Sequence, residues 1–174
     1  MQYAEQFDKS EKVVENSSCA DWLISLPANT QLEDILLKVV AINALYSTRI
    51  YSPRPVAEHI LKARIDDMLT RGDTEAVERI RVVQFGDKTR NNYSFASKYC
   101  AWHNPDSYPI YDGFVDQTLW DYRKRDGFAR FQRQSLWRYA EFKQIVVAFR
   151  EHYASGCLLS GYRQVSMVRR TETC

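Results

Sequence analysis

The chain has 174 residues, 45% of them hydrophobic, 13% aromatic and 26% charged, with a formal net charge of +2. That length buries one core and is too short for two full ones, and no run reaches the roughly 18 to 20 apolar residues that span a bilayer. The N-terminal stretch "MQYAEQFDKSEKVVENSS" carries no apolar signal segment, so a cytoplasmic location is expected.

In chain order, residues 1–28 read as an N-terminal extension to a single all-helical domain. From Leu32, "LEDILLKVVAINALYS" places apolar residues at 32, 35, 36, 39, 40 and 42, the spacing of a buried helix with a wide apolar face. Asn29 or Thr30 is its candidate cap. Pro53 and Pro55 mark a loop, after which "VAEHILKARIDDMLTR" predicts a second helix ending at Gly72. A third helix, "DTEAVERIRVVQFG", is closed by Gly86. The stretch "NNYSFASKYCAWH" predicts a fourth, stopped by "NPDSYP"; a fifth runs from Gly113 to about Lys124 and a sixth from Ser135 to about Tyr153. No strand with a hairpin turn stands out, except a short candidate near Tyr162.

Cys19, Cys100, Cys157 and Cys174 are widely spaced with no C-x-x-C pair, which reads as free thiols, neither a disulfide framework nor a zinc site. No metal or cofactor is implied. Charge is uneven along the chain. Residues 1–40 hold three basic and seven acidic side chains, whereas residues 120–174 hold eleven basic and five acidic. In "WDYRKRDGFARFQRQSLWRY", Arg123, Lys124, Arg125, Arg130, Arg133 and Arg138 alternate with Trp120, Tyr122, Phe128, Phe131 and Trp137. Cations neutralise phosphates and ring faces stack on bases, so the pattern suits nucleic acid. A solvated helix face above core aromatics gives the same pattern, and Trp102, Trp120 and Trp137 fit a core role.

The densest chemistry lies in "SFASKYCAWHNPDSYPIYDGFV", residues 94 to 115, with six aromatic rings, Lys98, His103, Asp106 and Asp112. A helix, a turn holding Pro105, Pro109 and Ile110, and an aspartate opening the next helix resemble the helix-hairpin-helix DNA glycosylase superfamily. Upstream, "VVAINALYSTRIYS" is similar to the early helix that approaches the lesion in that family. Together the two segments cover about residues 30 to 125, leaving basic C-terminal helices over 126–174. The resemblance implies double-stranded DNA as partner and monofunctional hydrolysis of an N-glycosidic bond, with Asp112 the catalytic acid. It implies a base pocket from Tyr46, Thr48, Trp102, Tyr111 and Phe114. Phosphate contacts fall to Lys88, Arg90, Asn91 and Asn92, because the family's glycine-rich hairpin is replaced by "FGDKTRNNYS", and to Arg123, Lys124 and Arg125.

The family's nucleophilic lysine corresponds in position to Tyr93. Lys98 lies inside the following helix, so it is a second-rank catalytic candidate that otherwise pairs with Asp106 or Asp112 or snorkels. Asp112 is equally suited to be an N-cap, and His103 to sit at a helix C-terminus. Two rival functions stay open: a binding module for DNA or protein on a degenerate glycosylase frame, and a helical ribonuclease whose Arg54 and His59 form an R-x4-H pair.

Overall fold

The computed structural model describes residues 28–159 of the protein, with side chains described through Ala154. Among the described residues, seven α-helices, one 3-10 turn and one β-hairpin enclose a hydrophobic cluster. Helix α1 (Leu32–Tyr46) buries Ile35, Lys38, Val39 and Ile42 on one stripe, the helical spacing read from the sequence. Its N-cap is Gln31, with no side-chain cap bond. Neither Asn29 nor Thr30 caps it: Asn29 is buried and turns to Asp66 and Tyr99 instead.

The stretch expected as one helix up to Gly72 is two. Helix α2 (Pro53–Ala63) stops at Arg64, which adopts the left-handed conformation, φ 47°, before α3 (Asp66–Arg71) begins. The break lets Ile65 drop fully into the core and aims the Asp66 carboxylate at the Asn29 backbone N–H. Gly72, at φ +67°, closes α3.

Helix α4 (Glu75–Arg81) also ends earlier than its sequence suggests. Val82–Phe85 form strand β1, paired antiparallel with β2 (Lys88–Asn91) in the register Val82↔Asn91 to Phe85↔Lys88. Two residues, Gly86 and Asp87, make the turn, and Gly86 takes the positive φ that a two-residue hairpin needs, 57°. Gln84 ties the turn by donating to the Gly86 carbonyl and accepting from Thr89. The expectation of no clear hairpin is therefore corrected over 82–91; the candidate near Tyr162 lies outside the described residues.

Helix α5 (Tyr93–His103) buries Tyr93 and every residue from Phe95 to Ala101. A helix buried nearly all round is a core element, and α1, α3 and α4 pack against it. After the "NPDSYP" turn come α6 (Gly113–Asp126), a 3-10 turn (Arg133–Trp137) and α7 (Tyr139–Leu159). No helix among the described residues is long and apolar enough to cross a membrane. Cys100 is a free, buried thiol; the other three cysteines lie outside the described side chains.

Candidate functional site

Helix α5 and the start of α6 are stitched together at one point. Ser94 and Lys98 are one turn apart on α5, and Ser94 Oγ accepts a hydrogen bond from Lys98 Nζ at 2.8 Å. The same ammonium donates to the Tyr111 carbonyl at 3.4 Å and faces Asp112 Oδ2 at 3.7 Å. Ser97, beside it, receives the Tyr111 backbone N–H at 3.0 Å. These bonds fix the loop that delivers Asp112.

Asp112 uses its two oxygens differently. Oδ1 accepts the Val115 N–H at 2.9 Å and caps α6, leaving Oδ2 for the ammonium. The Lys98 side chain is only 5% exposed while that of Asp112 is 38% exposed, so the carboxylate is the accessible half of the pair. Burial pushes the Lys98 amine below its ordinary lysine range, and the Asp112 charge opposes that shift. Lys98 Nζ also lies 5.4 Å from the centre of the Tyr46 ring.

Tyr46 is the link to a cavity of about 460 Å³ lined by Tyr46, Ala101, Trp102, Pro105, Tyr108, Pro109 and Ile110. That volume lies within the roughly 300–1,000 Å³ of ligand sites. Its walls are apolar and aromatic, with Tyr46 and Trp102 edge to face at 6.4 Å. Asp112 is not part of the lining; it connects to the cavity through Lys98, whose ammonium faces both its carboxylate and the Tyr46 ring. A larger hollow of about 670 Å³ is bordered by Asn29, Thr30, Leu61, Lys62, Arg64, Asp66 and Asp67. Its buried polar group, Asn29, is already matched with Asp66, Lys38 and Tyr99, and the rest of its polar border is Thr30 and the charged residues Lys62, Arg64, Asp66 and Asp67.

Of the residues expected in a base pocket, Tyr46 and Trp102 line the cavity and three do not. Thr48 donates to Asn43 Oδ1 at 2.9 Å, and the same amide oxygen receives the Ile50 N–H; both bonds shape the loop after α1, where Ser47 and Arg49 hold positive φ. The Tyr111 ring packs 4.3 Å from Tyr93 and edge-on to Phe142, with its hydroxyl donating to Asp116. Phe114 is 81% exposed and outside the lining. Sequence spacing could not separate these cases, since a ring's neighbours come from distant helices.

The expected phosphate contacts divide in the same way. Lys88 and Asn91 are exposed on β2, and Arg90 lies over the Tyr51 ring at 5.4 Å. Asn92 is buried, 6% exposed, and its backbone closes the hairpin against Arg81, so its side chain is not a surface contact. Arg123 is inserted between Trp120 and Phe131, at 4.7 and 5.6 Å. Lys124 pairs with Asp121 and Arg125 with Asp126, both on the surface. Trp137, expected in the core, is 52% exposed.

Lys98 pairs with Asp112 rather than Asp106 and does not snorkel to solvent. His103 is half-buried against Tyr99 at 5.2 Å, and burial holds its pKa down at about 4. In α2, His59 Nε2 bonds the Arg79 carbonyl at 2.8 Å while Arg54 pairs with Glu58.

Asp116 is an acid that sequence reasoning passed over. It is 5% exposed and accepts bonds from Tyr111, Arg133 Nη2 at 2.7 Å and Arg133 Nε at 3.0 Å. Its place one turn after Asp112 was legible. Its partner 17 residues away was not.

A family model described as the N-terminal domain HI_0787_N matches residues 1–107. The chain belongs to the HI_0787_N family. The matched region includes α1 to α5 and hence Tyr46, Trp102 and Lys98, and it ends before Asp112. A Haemophilus influenzae protein described as uncharacterized is 40% identical over 122 residues, covering 70% of this chain and 61% of that protein. The chain thus spans about three fifths of that relative's length. No solved structure matches.

Proposed function

We propose that this domain binds duplex DNA and removes a modified or damaged base by monofunctional hydrolysis of its N-glycosidic bond, with Asp112 as the catalytic carboxylate. One observation carries the reading. A carboxylate whose side chain is 38% exposed is joined through Lys98 to Tyr46, which lines an aromatic-walled cavity of ligand size, on the helix–turn–helix layout that resembles the glycosylases. The everted base enters between Tyr46, Trp102 and the Pro105–Ile110 turn, where rings offer stacking faces. Cleavage builds positive charge on the sugar, which the Asp112 carboxylate stabilises while it orients the attacking water.

Lys98 serves this chemistry by position. Its nitrogen is held by Ser94, Tyr111 and Asp112 on a side chain only 5% exposed, which leaves a sugar little access to it. That favours direct hydrolysis over a covalent intermediate. At 3.7 Å the ion pair is loose, so the carboxylate is steered without being withdrawn from substrate.

The test is Asp112→Asn, which keeps an N-cap and removes only the charge. Duplex oligonucleotides bearing alkylated, oxidised or deaminated bases are incubated with each protein, and alkali cuts the abasic product. Excision by the variant should fall by orders of magnitude with DNA affinity nearly unchanged, each 1.36 kcal/mol of lost transition-state stabilisation being about tenfold in rate. Equal excision by both proteins would show that Asp112 is a cap alone. Binding without excision of any substrate would favour a non-catalytic module.

A further inference from the structure

We propose that the outer face of α1 is a docking surface for the chain's own N-terminal segment, residues 1–27, through the apolar run Trp22, Leu23, Ile24 and Leu26. The proposal is independent of the DNA reading. Helix α1 packs on α2 and α5 and buries Ile35, Val39 and Ile42. Leu37 lies about 200° round the helix from Ile35. There Leu37 and Val40 are 49% and 47% exposed, and the exposed Ala44 continues their stripe at helical spacing. The helix is thus apolar on the side away from its core face as well, which is the pattern of a helix covered on both sides.

Three observations favour this occupant. The first is where the segment ends. Lys38 Nζ donates to the Ala28 carbonyl at 3.4 Å, and Asp66 holds the Asn29 backbone N–H, so residue 27 joins a point pinned one side chain's length from the turn that carries Leu37. Trp22 stands six residues before Ala28, a reach of about 20 Å when extended, whereas Leu37 to Ala44 is about 10 Å along the helix. The second is size. A stripe about 10 Å long on a helix about 10 Å across offers on the order of 100–200 Å², far below the roughly 800 Å² per partner of a stable dimer. Such a surface suits a tethered segment, whose effective concentration is high, better than a second copy of the chain. The third is the extent of the domain. The family match begins at residue 1, so the unit shared by the family includes this segment. The hollow beside the same exit, with Lys62, Arg64 and Asp67 on its border, is too polar for the apolar run.

The test has two arms on the full chain. In the first, Leu37→Gln with Val40→Gln, and separately Trp22→Ala with Leu23→Ala, should each lower Tm by about 3–6 °C, as expected for losing the burial of two half-covered apolar side chains in a domain of this size. The four changes together should lower it little further, because both pairs remove one contact. Tm should not depend on protein concentration. In the second arm Cys19, a thiol native to the segment, is joined by a short bis-maleimide to Val40→Cys or, for comparison, to Lys62→Cys beside the same exit, and peptide mapping identifies the intrachain product. A docked segment should link to position 40 roughly tenfold faster than to position 62, since docking raises the effective concentration at one place only. Equal linking at both positions, no loss of Tm from either pair, or losses that add, overturns the docking. A Tm that rises with concentration as a dimer forms assigns the stripe to a second copy and overturns it as well.

Discussion

Asp112 carries a cap and a charge on separate oxygens, and two substitutions divide them. In Asp112→Asn the side-chain oxygen still accepts the Val115 N–H, so only the charge facing Lys98 is lost. Lys98 is buried, but the carboxylate is 38% exposed and the pair is 3.7 Å apart. The contact therefore belongs near the exposed end of the scale, about 0.5–1 kcal/mol, rather than with fully buried pairs whose disruption costs about 3–5 kcal/mol. Ser94 and the Tyr111 carbonyl continue to solvate the ammonium. Asp112→Ala loses the same charge and the cap as well, a further ~1 kcal/mol.

For a domain of this size 1 kcal/mol moves Tm by about 2–4 °C. The asparagine variant should thus melt about 1–4 °C below wild type and the alanine variant about 3–8 °C below it. Urea unfolding at unchanged m gives the same order as free energies. Lys98→Met, alone and combined with Asp112→Asn, closes a double-mutant cycle on the ion pair. Equal stability of the asparagine and alanine variants would refute the cap. A loss above about 3 kcal/mol for asparagine would refute the exposed-pair reasoning and place the contact with buried ion pairs.

Two further outcomes follow from the core. His103 titrates at about 4 in the folded protein against 6.5 for an unperturbed histidine, with burial the main cause, the Lys38 charge adding to it and Asp66 opposing; the unfolded chain takes up the proton first as pH falls, so this contribution is complete above pH 6.5 and is lost toward pH 4. His103→Gln should flatten the stability slope in that window, read by urea unfolding at several pH values; an unchanged slope would remove His103 from the account. At Gly72 a Cβ would come 2.6 Å from Ser107 Oγ and 2.7 Å from Ser107 Cβ at a φ of +67°, so Gly72→Ala should cost about 1–3 kcal/mol, and thermal melting indistinguishable from wild type would show that the turn relaxes freely.

What the sequence made legible follows the range of the interaction. Helices α1 and α5 could be read because apolar periodicity and stop signals are local: Ile35, Val39 and Ile42 repeat at helical spacing, and "NPDSYP" cannot continue a helix. The opening of α6 at Asp112 was equally local. The hairpin was hidden by the same rule, because Glu75–Arg81 is helical and runs without a break into Val82 and Val83. What ends the helix is Val83 entering the core and β2 returning to pair, events that depend on chain ten residues ahead. In "QFGDK" the Gly-Asp pair was the available signal, read as a helix stop when it was a two-residue turn.

The candidate site divides along that line as well. Asp112, Lys98, Tyr46 and Trp102 were read from two short segments, and the fold links them in a row, Asp112 to Lys98, Lys98 to the Tyr46 ring and Tyr46 to Trp102. Tyr111, Thr48 and Phe114 came from the same segments and went elsewhere, because a residue one position along a turn points in a different direction. Tyr111 was claimed by Asp116 and the core, Thr48 by Asn43, and Phe114 by solvent. The basic C-terminal third followed the same logic. Its charges were legible as composition, but Arg133 is spent holding Asp116 and Arg123 is spent between two rings. A cation that braces a buried carboxylate is not available to a phosphate, so cations counted along the chain overstate the charge offered to DNA. By this argument the salt dependence of the proposed DNA binding, which counts released counterions, should report fewer contacts from residues 120–140 than their arginines and lysine would suggest.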